Sequence, residues 1–285
     1  LLYLVKTFGQ GNDRLGYPLA MTVFACIAGG LFFFTFSSTK ERVHPMAAAT
    51  SISGDLKDLL RNGPWVMLCA MGLATLIYIS VRNGATLYYF KYYIGDQAAA
   101  APFMVTGTIF SIVGALITPQ LTRLCGGKKS AFIILTLACT VGMGAFYLIK
   151  PTDRVLLYVC NILLSVPNAA LFPLIWSMYA DTADYGEWKN GRRATGLVFS
   201  AATFAQKMGW AIGGALAGFL LNAVGFIANV AQSTSSLGGI RHMMSTIPAA
   251  ISLAVVALAF FYSLDNKLEH RIGTDLAARK RPVAA

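Results

Sequence analysis

Lys207 is the single charged side chain in the thirty-residue run from Thr195 to Val224. At about 1.5 Å per residue it would lie about 18 Å from one end of a helix and about 25 Å from the other. A lysine stem does not reach that far, and a lone cation at such depth costs about 2.5–3.5 kcal/mol on insertion scales. It must face a cavity, an anion, or an ion pair that fixes helix packing. Arg82, followed by Asn83 and Gly84, is a second deep cation, about 18 Å from the outer end of its run. None of the twelve Asp and Glu residues falls well inside an apolar run. Both cations are therefore expected to find their partners in a missing part of the protein, in a substrate, or in water.

Two polar faces accompany these charges. Ser200, Thr203, Lys207, Trp210 and Gly214 recur at helical spacing and share one narrow face. Asn161, Ser165, Asn168, Phe172, Trp176 and Tyr179 do the same on another run, interrupted by Pro167 and Pro173. Amides beside an indole suit a sugar, whose hydroxyls need donors and acceptors and whose C–H face packs on an aromatic ring. Helix–helix hydrogen bonding is the alternative use of the same amides. A third cluster lies in 180–196, a loop with a turn at Asn190–Gly191. There Asp181, Asp184 and Glu187 stand against Lys189, Arg192 and Arg193. This balance fits an inner-face charge network that forms and breaks with conformation; a solvated loop is the plainer reading.

The elements that must position these residues are membrane-spanning helices. Of 285 residues, 56% are hydrophobic and 12% charged, and mean hydropathy is +0.61. Soluble domains carry about 25% charged residues, so a water-soluble enzyme, a disordered chain and a secreted disulfide scaffold are poor fits. Seven apolar stretches approach or exceed the ~20 residues a helix needs to cross a bilayer: roughly 17–37, 64–94, 100–122, 130–149, 155–180, 195–224 and 242–264. The ~10-residue alternation of a β-barrel is absent. The segments 38–63, 123–129, 181–193 and 265–285 hold fifteen lysines and arginines, against six in those of opposite side, which puts the middle segment and C-terminus in the cytoplasm. The net charge of +11 then reflects cytoplasmic cations near lipid headgroups, not nucleic-acid binding. Tyr88, Tyr89, Phe90, Tyr92 and Tyr93 around Lys91 read as an interfacial aromatic belt.

Metal and cofactor chemistry find no support. Cys26, Cys69, Cys125, Cys139 and Cys160 form no C-x-x-C pair, and His44, His242 and His270 match no zinc spacing. Gly-Gly-Lys-Lys-Ser at 126–130 lacks the first glycine of a phosphate loop.

The stretch Asp181-Thr-Ala-Asp-Tyr-Gly-Glu-Trp-Lys-Asn-Gly-Arg-Arg-Ala-Thr-Gly196 resembles the signature between the tenth and eleventh helices of the glycoside–pentoside–hexuronide:cation symporters. These are relatives of melibiose permease in the major facilitator superfamily. Phe172-Pro-Leu-Ile-Trp176, the helix with Lys207, and Ser38-Thr39-Lys40-Glu41-Arg42 are similar to that family too, so the likeness covers nearly the whole chain. It implies an all-α integral membrane fold, with a C-terminal six-helix bundle preceded by the last helix of an N-terminal bundle. On that basis 1–37 is the end of the N-terminal bundle, 38–63 a cytoplasmic middle loop, 64–264 the C-terminal bundle and 265–285 a cytoplasmic tail. The chain, which starts Leu-Leu-Tyr, is then expected to be the C-terminal part of a longer protein.

The resemblance implies roles as well. Lys207 matches a lysine serving the cation and sugar region, Thr203 a sugar-contacting threonine, and Trp176 an aromatic near the sugar. Asp181, Asp184 and Arg193 or Arg192 match an inner-face charged network, which we extend to Glu187. Asn168 and Arg82 join the substrate candidates from their own chemistry, Arg82 admitting a uronide carboxylate. The family's acidic cation ligands lie mostly on helices outside this stretch. The expected function is symport of a glycoside, pentoside or hexuronide with H⁺ or Na⁺ across the inner (plasma) membrane, with no cofactor. The partners are the sugar, lipid and the N-terminal half, without which the chain should not transport. A seven-helix receptor lacks its arginine switch and its Asn-Pro-x-x-Tyr. An intramembrane enzyme lacks paired acids or a nucleophile–base pair.

Overall fold

A computed structural model describes residues 2–10, 12–40, 52–191 and 194–280, all helices and their connections with no strand among them. Two compact units are distinguished, Leu1–Ala49 and Thr50–Ala285. In the first, α1 (Leu2–Gly9) packs on α2 (Asp13–Ser38). Gly16 permits this approach, since a Cβ there would strike Val5. Asn12 caps α2 by accepting a hydrogen bond from Arg14 N at 3.1 Å.

The second unit begins with α3 (Ile52–Leu60) and α4 (Gly63–Tyr88). Asn62 starts α4 by accepting from Trp65 N, and its amide donates to Thr182 O at 2.8 Å. After α4 come a π-helical turn (Tyr89–Ile94), α5 (Ala100–Leu116), α6 (Thr118–Leu124) and α7 (Lys128–Ala145). The chain ends with α8 (Arg154–Asn190), α9 (Thr195–Ala223), α10 (Thr234–Met244), α11 (Thr246–Phe260) and α12 (Asn266–Lys280).

The main seams are α4 on α9, α5 on α8, and α7 and α11 on each other and on their neighbours. Small residues set them, as close van der Waals approach must where lipid offers no hydrophobic contrast. A Cβ at Gly209 would come within 2.8 Å of Leu76, and one at Gly213 within 2.5 Å of Ser80. The Ser80 hydroxyl donates across this seam to Trp210 O at 3.1 Å. On α5, Gly114 abuts the Val166 carbonyl of α8.

Six described stretches are long and apolar enough to cross a membrane: 14–38, 63–94, 97–116, 128–148, 154–190 and 234–260. The seventh expected span, α9, has 29 residues but falls short in hydropathy, because Gln206 and Lys207 interrupt it. Other boundaries are corrected. The 180–196 loop is helical as far as Asn190, where Gly191 at φ 70° closes α8; its acids repeat at helical spacing and nothing before Gly191 breaks the pattern. Pro167 and Pro173 lie inside this 37-residue helix without ending it. The last span starts earlier, at Thr234, and is broken at Ser245. The aromatic belt is only partly a belt: the π turn stacks Tyr89 on Tyr93 at 5.0 Å and buries Tyr89 and Phe90 in the core. Lys91 donates to Asn229 at 2.7 Å.

Candidate functional site

α9 divides into two faces. Gly209 and Gly213 meet α4, while Ser200, Thr203, Lys207, Trp210 and Gly214 are all exposed on the other side. Lys207 makes no hydrogen bond or ion pair with any described residue. Thr203 returns its hydroxyl hydrogen to Phe199 O at 2.8 Å, leaving its oxygen free to accept. Trp176 of α8 is half-buried and stacks on Phe199, with centroids 5.7 Å apart and planes within 8°. Trp176, Phe199, Thr203 and Lys207 thus follow one another along the junction of α8 with the open face of α9.

Beside them is a cleft floored by α4 and walled by α8 and α9. Gly72 and Thr75 line it from α4, Phe172 and Ile175 from α8, and Gln206 from α9. Thr75 is 3% exposed and its hydroxyl oxygen has no hydrogen-bond partner among the described residues. Thr86, Thr106, Thr108 and Thr203, by contrast, each bond the carbonyl one turn back. An unmet hydroxyl in a cleft whose other polar side chain is Gln206 can take one hydrogen bond from a bound molecule. Neither Thr75 nor Gln206 was singled out from the sequence. The signal was weak: a threonine in an apolar run is ordinary, and only the three-helix packing brings it to Gln206.

The amide face behaves differently from its sequence reading. Asn161 is buried and donates to Phe103 O of α5 at 2.9 Å, and Tyr179 is buried with its hydroxyl 3.4 Å from Leu68 O. These are helix–helix bonds. Asn168 is half-buried and accepts from the Tyr78 hydroxyl at 3.4 Å. Arg82 is not brought to the α9 face. Its Nε donates to Met244 O at 3.3 Å, and its guanidinium carbon lies 4.5 Å from the centre of the Phe146 ring. A backbone carbonyl and a ring face meet part of this guanidinium, while its Nη2 is buried with no hydrogen-bond partner among the described residues, so one N–H group still calls for a partner.

Toward the C-terminal end of α8, Asp181 binds Lys128 at 2.5 Å. Lys128, the first residue of α7, also lies 3.7 Å from Glu269 of α12. Asp184 and Glu187 are half-buried on the same helix. Arg192 and Arg193 lie outside the described residues. Sequence reasoning missed Lys128 and Glu269, which lie 53 and 88 positions from Asp181 in opposite directions along the chain.

Comparison with known proteins gives these features a context. The chain is 35% identical to an isoprimeverose transporter of Lactiplantibacillus pentosus, with 96% of this chain and 58% of that protein covered. It is 29% identical to the inner membrane symporter YicJ of Escherichia coli (99% and 61% covered). It is 30% identical to a glucuronide carrier protein homolog from the same organism (91% and 57%). The chain therefore spans roughly three fifths of the length of these relatives. The family model described as MFS/sugar transport protein matches residues 1–266. With an all-helical architecture and six apolar helices of membrane-crossing length, this chain is a multi-pass membrane protein belonging to the MFS/sugar transport protein family.

Proposed function

We propose that this chain forms the C-terminal side of a symporter that moves a sugar or glycoside with H⁺ or Na⁺ by alternating access. One observation carries the reading: Lys207, halfway along α9, is exposed and without a partner among the described residues, on a face that also bears Thr203 and adjoins Trp176. Such an ammonium is unfavourable in a lipid-shielded setting unless acids from elsewhere in the protein meet it. Occupation of those acids by the coupling cation would change their pairing with Lys207. Sugar and ion would then bind reciprocally. Trp176 offers a ring for the C–H face of a pyranose, and Thr203, Asn168 and the Thr75–Gln206 cleft offer hydrogen-bonding groups. Asp181, Asp184 and Glu187, with Arg192 and Arg193, form the gate at the cytoplasmic side.

Arg82 is left out of the substrate contacts because it bonds Met244 O and lies on the Phe146 ring, away from the Thr203–Lys207 face, although its Nη2 has no hydrogen-bond partner among the described residues. A carboxylate on the substrate would therefore have to be met by Lys207 or by the N-terminal half. The names of the relatives, an isoprimeverose transporter and a glucuronide carrier homolog, admit either a neutral or an acidic glycoside.

The test uses the full-length protein in proteoliposomes, with uptake of a sugar panel driven separately by Na⁺ and by H⁺ gradients. Lys207→Ala should abolish gradient-driven accumulation of whichever sugar the wild type takes up, and Lys207→Arg should restore part of it. Accumulation by Lys207→Ala equal to wild type would overturn the reading.

A further inference from the structure

The inner end of the bundle is fastened by α12 in a way that transport as proposed above does not require. Asn266 donates to Gly126 O, and a Cβ on Gly127, which sits at φ 136°, would collide with the Asn266 amide. Trp188 of α8 donates to Asp275 at 2.8 Å, and Arg279 donates back to Trp188 O at 3.1 Å. Ile272 and Leu276 are buried beneath. Within this frame one ammonium, Lys128, faces two carboxylates: Asp181 at 2.5 Å and Glu269 at 3.7 Å, with side chains 19% and 20% exposed. Lys128 opens a helix, where the dipole opposes a cation, so the two acids are what hold it there.

The cluster has one negative charge too many; burial raises both carboxyls, and Asp184 adds like charge beside Asp181, but Lys128 sits closer to Asp181 than to Glu269. The second oxygen of Glu269, Oε1, is buried with no hydrogen-bond partner among the described residues. Asp181, on α8, faces Glu269 with like charge, and Asp265, one turn back, does the same. The Tyr262 hydroxyl, after α11, is buried near both Asp181 and Glu269 and has no hydrogen-bond partner among the described residues. Lys129 turns away to Phe260 O. Burial, then the Asp181 charge, hold the Glu269 carboxyl above the usual carboxylate range despite the pull of Lys128. A group raised in the seated state stabilises that state at low pH and loses the contribution as pH climbs through its seated value.

We propose that Glu269 is a proton-operated catch and a positioning residue for the Lys128–Asp181 pair: protonated, it seats α12 on the inner ends of α7 and α8 and leaves Lys128 to Asp181; ionised, it loosens the helix. Proton uptake takes the three-residue cluster from net −1 to neutral. The effect on transport rests on the reading of Asp181 as part of the inner gate; the seating of α12 does not.

The experiment measures amide exchange of 266–280 in purified full-length protein from about pH 5 to about pH 8, corrected for intrinsic rates. Wild-type exchange should rise about tenfold over this range. Glu269→Gln should remain slow and flat, Glu269→Asp should keep the rise, and Lys128→Ala, which removes the pull on the ionised form, should stay slow at the low-pH end. A flat wild-type profile, or a Glu269→Gln profile with the wild-type slope, overturns the catch. Should the Gln variant fail to fold, the wild-type slope and Glu269→Asp still decide. Sugar uptake is followed in parallel, and its pH profile should flatten in Glu269→Gln. Exchange that follows Glu269 while the uptake profile stays unchanged overturns the positioning role and the gate reading of Asp181, and leaves the catch standing.

Discussion

The outer part of α4 and the middle of α9 each carry one cation in a long uncharged run, and the fold treats them in opposite ways. Arg82 turns into the bundle, where its Nε bonds Met244 O and its plane lies over the Phe146 ring, with Nη2 left without a hydrogen-bond partner among the described residues. Lys207 stands on an open face, with no hydrogen bond or ion pair among the described residues. The difference follows from the head groups. A guanidinium is flat, weakly hydrated and able to bond a carbonyl while lying on an aromatic ring. An ammonium is a compact, strongly hydrated point charge that needs acids or water. Depth along the helix is therefore a poor guide to which cation awaits a partner; the chemistry of the head group and the neighbouring carbonyls decide.

The contrast is sharpest if the two residues fail differently. Lys207→Ala should lower coupled uptake about 100-fold, in the range of a strong coupling between sites. Any fall it causes in the melting temperature of full-length protein should come from the acids left without Lys207 and be recovered in Lys207→Arg. Arg82→Gln should act on stability and not on coupling. The lost ring and carbonyl contacts cost about 1–3 kcal/mol, read as a fall of a few degrees in melting temperature, with uptake per folded molecule preserved. Arg82→Lys should not rescue stability, because lysine cannot stack and bond together. If Arg82→Gln abolishes uptake at unchanged stability, the two cations belong to one site and the comparison breaks.

A smaller effect tests the cleft beside Lys207. Thr75→Val removes a buried hydroxyl that has no partner while keeping its shape. Stability should hold or rise. The concentration of sugar for half-maximal uptake should rise threefold to tenfold, roughly the loss of one hydrogen bond. An unchanged value would remove Thr75 from the site and leave Trp176, Thr203 and Lys207 as its extent on this side.

How much of this was legible beforehand depends on the range of the contact. The depth of Lys207 and the polar stripe of Thr203 and Trp210 are read from spacing within one helix, and the structure exposes that stripe. The fate of Asn161 and Asn168 is not, because two amides on one stripe look alike until α5 takes the first through Phe103 O and α4 the second through Tyr78. Arg82 is illegible for the same reason: its partner is a backbone carbonyl 162 positions away, and every residue has one. The helical extension of α8 through Asp181, Asp184 and Glu187 was obscured by charge density, which also marks loops. Lys128 reads in the sequence as one of three cations in 123–129, and its use emerges when α12 brings Glu269 to within 3.7 Å of it.

The least perturbing change lies at the outer end, where Asp96 pairs with Arg154 at 2.7 Å. The hydrogen bond from Arg154, and then that from Ala99 N, hold the Asp96 carboxyl below its ordinary range. The pair lies at the surface, where solvent and salt screen it. Whatever it contributes is present above the ordinary carboxylate range and vanishes as pH falls through the lowered value of the folded state. Asp96→Asn should therefore leave the melting temperature and uptake at neutral pH within error of wild type. Here the outer pair serves as the counterpart of the inner cluster: the same charge types, with one cation for one acid rather than one for two, and with water at hand. A pH-dependent change in uptake from Asp96→Asn as large as that from Glu269→Gln would mean that charge at either end governs the protein alike, and that the burial of Lys128, Asp181 and Glu269 is not what makes the inner end responsive.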